Sequence, residues 1–156
     1  MNYWLMKSEP DVFSIDDLKN APKKTTCWDG VRNYQARNMM RDDMRRGDRV
    51  FYYHSNCDVP GIVGVARITK QSYPDHTAFD SNDPHYDPKS DPENPRWFMV
   101  DIAYVRKFRE TVTLKALREY ADSELKDFAL LRRGNRLSVM PVTHDAWEFI
   151  TGMTKK

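Results

Sequence analysis

Apolar positions along this chain fall in short runs, each closed by turn residues, and no helical repeat is sustained for long. Tyr3-Trp4-Leu5-Met6-Lys7 is one such run and predicts a short buried strand. Ser14 ahead of Ile15-Asp16-Asp17-Leu18 has N-cap chemistry and first-turn acids, which predicts a short helix. Residues 21–26 read as a loop. Asn33 is placed to cap a helix in which Ala36, Met40 and Met44 recur at i, i+4 and i+8, with Gly47 at its C-terminal end. Residues 49–55 and 62–69 are rich in β-branched and aromatic side chains and predict an antiparallel hairpin. Residues 72–95 carry five of the nine prolines and read as a long surface loop, a feature often tied to function. A strand follows over 97–108, with Phe98, Val100, Ile102 and Tyr104 on one face. Leu114, Leu117 and Tyr120, then Leu125, Phe128 and Leu131, suggest two short helices broken near Asp122-Ser123. Residues 137–142 predict a last strand, and Thr143 caps a final helix that docks Trp147 and Ile150. About five or six strands dispersed among short helices predict an α+β fold: a small mixed sheet or open barrel, not βαβ repeats.

The chain has 156 residues, enough for one domain with a respectable core. No apolar run approaches the ~20 residues of a membrane span, and the start, with Lys7 and Glu9, is unlike a signal peptide. Cys27 and Cys57 make no disulfide framework, so an intracellular chain is expected. Lys and Arg number 25 against 23 Asp and Glu, a net charge of +2 that excludes a histone-like binder working by bulk attraction. The small total conceals sorting. Between positions 31 and 49 six arginines face three acids, whereas between 75 and 93 six acids face Lys89 alone. An oriented surface field that steers a polyanion is one reading, and an ordinary solvated surface is the other.

The glycines are scattered and form neither a P-loop nor a dinucleotide fingerprint. No Gly-x-Ser-x-Gly elbow is present, and His54, His76, His85, Cys27 and Cys57 complete no recognised zinc spacing. The residues therefore name no catalytic set, no metal and no cofactor. Trp28-Asp29-Gly30-Val31-Arg32-Asn33-Tyr34-Gln35-Ala36-Arg37-Asn38 is more informative. A nucleobase site needs a π face, amides for a base edge and cations for phosphate. Trp28, Asn33 and the pair Arg32 and Arg37 can supply these in turn. Equally, Trp28 can be a core residue, Asn33 a helix cap only, and the arginines a wetted face. His54-Ser55 and Lys7-Ser8-Glu9-Pro10 each close a strand, where polar groups can meet at a pocket on a rigid scaffold. Tyr73, Phe79, Tyr86 and Trp97 lie in or beside the long loop, enough aromatics for a lid, or simply to pin it down.

These motifs, with Phe51-Tyr52-Tyr53-His54-Ser55, Gly61-Ile62-Val63-Gly64, Tyr73-Pro74-Asp75, Tyr86-Asp87-Pro88-Lys89-Ser90, Pro95-Arg96-Trp97 and Arg136-Leu137-Ser138-Val139, resemble the EVE domain family in order along nearly the whole chain. The resemblance implies a single PUA-like domain over 1–156: a small β-barrel ringed by helices, related to YTH and ASCH domains. It implies a reader of modified bases, 5-methylcytosine or its oxidised forms in DNA foremost, which flips the base into a pocket. That pocket would be framed by Trp28, Asn33, Tyr34, His54 and Ser55, with Lys7, Ser8 and Ser138 at its rim and Arg32, Arg37 or Arg41 on phosphates. The partner expected is nucleic acid carrying such a base, the protein a monomer with a functional link to a nuclease. Its location would be cytoplasmic, or nuclear in a eukaryote. The alternatives are an RNA-binding PUA-like domain and an ASCH-like amidohydrolase in which Lys7, beside Glu9, acts as a base.

Overall fold

The computed structural model describes residues 1–154. Its centre is a mixed six-stranded sheet of β1 (Tyr3–Ser8), β2 (Thr25–Cys27), β3 (Arg49–His54), β4 (Gly61–Pro74), β5 (Phe98–Thr113) and β6 (Val139–Val142). The spatial order is β2-β5-β4-β3-β1-β6. β1 and β3 run parallel, and the other neighbouring pairs are antiparallel. Four short helices decorate the sheet: α1 (Ile15–Asn20), α2 (Tyr34–Asn38), α3 (Leu114–Arg118) and α4 (His144–Met153).

Both faces of the sheet are buried, which is why β1 and β3 read as unbroken apolar runs. Trp4, Met6, Val50 and Tyr52 point to one side, where they pack with Trp28, Leu18, Met40 and Ile102. Leu5, Phe51 and Tyr53 alternate to the other, where Leu117, Phe128, Trp147 and Ile150 cover them. Ser14, Asn33, Thr113 and Thr143 each accept a hydrogen bond from a first-turn amide, so all four α-helices start on a side-chain cap.

Several elements differ from the expectation. The supposed loop 21–26 contains a 3-10 turn and the start of β2, an edge strand too short and too polar to announce itself. The helix from Asn33 is α-helical only to Asn38, then opens into a π turn, Met39–Asp43. Gly47 does not cap it: Met44 is already extended, and Gly47 (φ +95°) sits in the following turn, its amide donating to the Ile68 carbonyl. β4 runs on to Pro74, and the next residues make a 3-10 turn, His76–Phe79, so the loop is shorter than its prolines suggest. β5 continues past Phe108 to Thr113 through polar residues. β4 lies so close to β5 that a Cβ on Gly61 would run into the Val112 carbonyl oxygen and one on Gly64 into that of Arg106. The segment around Leu125 to Leu131 is a series of turns with one 3-10 turn, Ala129–Leu131, in place of a second α-helix.

Candidate functional site

Because β1 and β3 are parallel neighbours with Ser8 opposite His54, their C-terminal ends emerge at one edge of the sheet. β6 begins beside Met6, and the Lys7 amide donates to the Ser138 carbonyl at 2.8 Å. The Ser55 amide donates to the Ser8 carbonyl at 3.0 Å. Lys7, Ser8, Ser55 and Ser138 therefore converge although they are distant in sequence. Beyond β2 the chain turns across this edge, with the Trp28 amide held by the Val100 carbonyl at 2.7 Å. Between the two lies an open cleft of about 650 Å³, lined also by Val12, Phe13, Thr26, Cys27, Asp29, Gly30, Val31, Arg32, His85 and Arg136.

The floor is aromatic. Trp28 is only 9% exposed and meets Tyr52 edge-on, ring centroids 5.5 Å apart. It is a core residue and a cleft wall at once. Packing in the core holds its indole in place, and the small part left exposed belongs to the cleft lining. At the rim the Lys7 ammonium lies 5.8 Å from the Tyr53 ring centre, and burial lowers its pKa. Among the described residues neither Lys7 nor Arg136 has a carboxylate partner. Burial, with Asp75 nearby, raises the pKa of Asp29, and burial likewise raises the Cys27 thiol, which is therefore a poor nucleophile at neutral pH. The cleft presents a rigid π surface, free cations, hydroxyls and a carboxyl group: the equipment for a flat, polar-edged anion.

One wall is a latch. Asp75 is fully buried and accepts from the Gly30 amide (2.8 Å), the Arg32 guanidinium (3.0 Å), and the Thr77 amide (2.9 Å) and hydroxyl (2.6 Å). Burial alone would raise its pKa, but these four donors outweigh it and hold the carboxyl below its ordinary value. Arg32 also donates to the His85 carbonyl twice, to Thr77 and to the Val31 carbonyl. All five of its N–H groups are thus satisfied inside the protein, leaving none for the phosphate expected of it. Gly30 has φ +79°, and a Cβ there would sit 2.6 Å from the His85 ring. Its bare backbone lets that histidine lie against the cleft wall.

The other expected residues are placed as follows. Asn33 lies outside the cleft lining, and its Oδ1 accepts from the Ala36 amide as a cap. Tyr34 is half exposed and stacked on Trp97 at 4.7 Å, with the Arg37 guanidinium over its other face at 4.7 Å. His54 Nε2 accepts from the Ile15 amide at 3.1 Å, which leaves the proton on Nδ1 and ties the ring to the start of α1. Burial lowers its pKa, in keeping with a neutral ring. Arg37 donates to Asn38 and to the Arg96 carbonyl, and Arg41 pairs with exposed Asp42. Of the loop aromatics, Trp97 donates to Asp87 and Tyr73 to Asp101, Phe79 is half-buried in its 3-10 turn, and Tyr86 is exposed; none lines the cleft. Sequence reasoning passed over Asp29, Gly30, His85 and Arg136 as site residues. Arg136 stood two positions before Ser138, but nothing local said that both line the cleft with Lys7.

The family model of the EVE domain matches residues 2–153. This chain belongs to the EVE domain family. Human thymocyte nuclear protein 1 is 46% identical over 99% of this chain and 75% of its own length. An uncharacterized protein of Schizosaccharomyces pombe is 43% identical over 99% of this chain and 69% of its own. Among solved structures, that of the human protein in complex with 5-methylcytosine containing DNA superposes with a TM-score of 0.95 at 47% identity, covering 100% of this chain and 99% of that one. A Pseudomonas syringae protein gives 0.91 at 46% identity, covering 97% and 99%. The EVE fold is thus carried almost unchanged here, and its α+β sheet is the mixed one described above.

Proposed function

We propose that this chain is a DNA-binding module that reads a modified base, 5-methylcytosine or an oxidised derivative, by taking it out of the duplex into the cleft at the ends of β1 and β3. The observation that carries the reading is the cleft's composition: a fixed indole floor with unpaired Lys7 and Arg136 at its rim. Likeness over the full chain to a human protein crystallised with 5-methylcytosine containing DNA supports it. Extruding a base costs a few kcal/mol, and stacking on Trp28 with phosphate contacts at the rim offsets that cost. The methyl group adds only about 0.8 kcal/mol of burial, so discrimination must come from close fit against Trp28 and from polar groups that orient the ring. Ser8, Ser55, Ser138 and Asp29, which line the cleft, are the groups we assign to that task. The module acts as a monomer, without turnover of its own, in concert with a nuclease or another modification-dependent partner. It works in the nucleus of a eukaryote or the cytoplasm of a bacterium.

The test is a binding panel of methylated, hydroxymethylated and plain duplexes with wild type and Trp28→Ala. Wild type should prefer a modified duplex. Loss of the indole should erase that preference and weaken binding by about 1–3 kcal/mol. A variant with unchanged preference would sink the base-slot reading. For the hydrolase alternative, mass spectrometry of modified nucleosides incubated with wild type and Lys7→Ala should find no product from either.

A further inference from the structure

Val12 is 73% exposed, unusual for an aliphatic side chain in a tightly tethered turn. Six large apolar residues are exposed among the described residues (Met1, Val12, Tyr34, Val59, Tyr86 and Val105), and Val12 alone of these lines the cleft. The turn that carries it is stiff. The Val12 and Phe13 amides both donate to the Glu9 carbonyl, at 3.0 and 2.9 Å. The Phe13 carbonyl accepts from the Ser8 hydroxyl and the Tyr52 hydroxyl, each at 2.7 Å. Glu9 accepts from the Asn56 amide at 2.9 Å, which ties its carboxylate to the β3–β4 connection. Pro10 adds its fixed φ. Phe13 packs against the core, and α1 starts immediately afterwards on the Ser14 cap. The turn is therefore anchored to β1, β3 and α1, with its one exposed apolar side chain, Val12, in the cleft lining.

A base taken out of a duplex leaves a gap of its own thickness, bounded above and below by apolar ring faces. Proteins that distort duplexes commonly fill or pry such steps with an aliphatic side chain. We propose that Val12, on the turn from Glu9 to Phe13, is the wedge that enters the stack and occupies the space vacated by the base held in the cleft. This rests on the base-extrusion reading above. It adds a second point of contact, with the DNA stack itself, which the pocket residues do not make. It also gives a reason for the turn's rigidity, because a wedge that bends aside cannot hold neighbouring bases apart.

A wedge matters only where there is a stack to fill. The experiment compares wild type, Val12→Ala and Val12→Leu on one 5-methylcytosine oligonucleotide, presented as a duplex and as a single strand. A 2-aminopurine next to the modified base reports unstacking. Val12→Ala should lose roughly tenfold in duplex affinity, as expected for two methyl-sized groups no longer buried, and several-fold less in single-strand affinity, where only its contact at the cleft wall is lost. The 2-aminopurine signal on the duplex should fall in parallel, and Val12→Leu should retain both. Because Val12 is exposed, the thermal melt of the free protein should not move in either variant. Equal behaviour of Val12→Ala and wild type in both formats, with the preference for the methylated duplex intact, would overturn the wedge alone. A wild type that binds duplex without preferring the methylated one would overturn the base-reading function and the wedge together.

Discussion

Asp75 shows how much one buried carboxylate holds. Its four donors come from Gly30, Arg32 and Thr77, so it fixes the strip after Trp28 and the start of the acidic loop in a single contact. Removing one partner of a buried pair leaves the other charge stranded, and Asp75→Ala should cost about 3 kcal/mol in a urea melt near neutral pH. The direction with pH follows from its lowered pKa. Its stabilisation is fully present above the unfolded value of about 3.9 and is lost as pH falls through the lower folded value. The stability gap between wild type and Asp75→Asn should therefore narrow as the melt is repeated from about pH 4 downward. A gap that widened in acid would contradict the arrangement. The motif Tyr73-Pro74-Asp75 did not disclose the latch, because only Thr77 among the partners of Asp75 is local, while Gly30 and Arg32 lie more than 40 residues away. Asn33 is the opposite case: its local context predicted the cap, and the cap is what its Oδ1 makes.

At the scale of elements, the legible parts were those with a local cause. Caps at Ser14, Asn33 and Thr143 and the two-sided apolar runs of β1 and β3 follow from neighbours in sequence. β2 and the far half of β5 were not legible, since both are held by pairing with remote strands and carry polar residues that mimic loop. The latch between the 28–32 strip and the acidic loop is of this second kind. Its weak point is Gly30. Gly30→Ala would place a methyl group on the His85 ring and force an L-residue to positive φ, at a cost of about 1–2 kcal/mol. The histidine ring must move away from the cleft wall to make room. Limited proteolysis should then cut within residues 80–93 faster than in wild type, with the core strands still protected. Unchanged cleavage would mean that the loop is held without the Gly30–His85 contact.

For the whole molecule, the sorting of charge limits how the proposed DNA ligand can be gripped. A near-neutral total was already at odds with bulk attraction, and the structure reduces the number of free cations further. Arg32 is saturated within the latch, Arg37 is tied to Asn38 and the Arg96 carbonyl, and Arg41 is paired with Asp42. The cations left at the cleft are Lys7 and Arg136, and the loop that carries Arg136 also holds Arg132 and Arg133 without carboxylate partners among the described residues. On the proposed reading, binding should therefore engage few phosphates. A plot of log affinity against log salt for a methylated duplex should have a slope of about −2 to −4, corresponding to between roughly two and four neutralised phosphates. Lys7→Met should make the slope shallower by about 1 while weakening plain and methylated duplexes alike, because a phosphate contact carries no base information. Trp28→Ala should do the reverse, losing preference at an unchanged slope. A wild-type slope near about −10 would require a broad cationic face that the paired arginines do not provide.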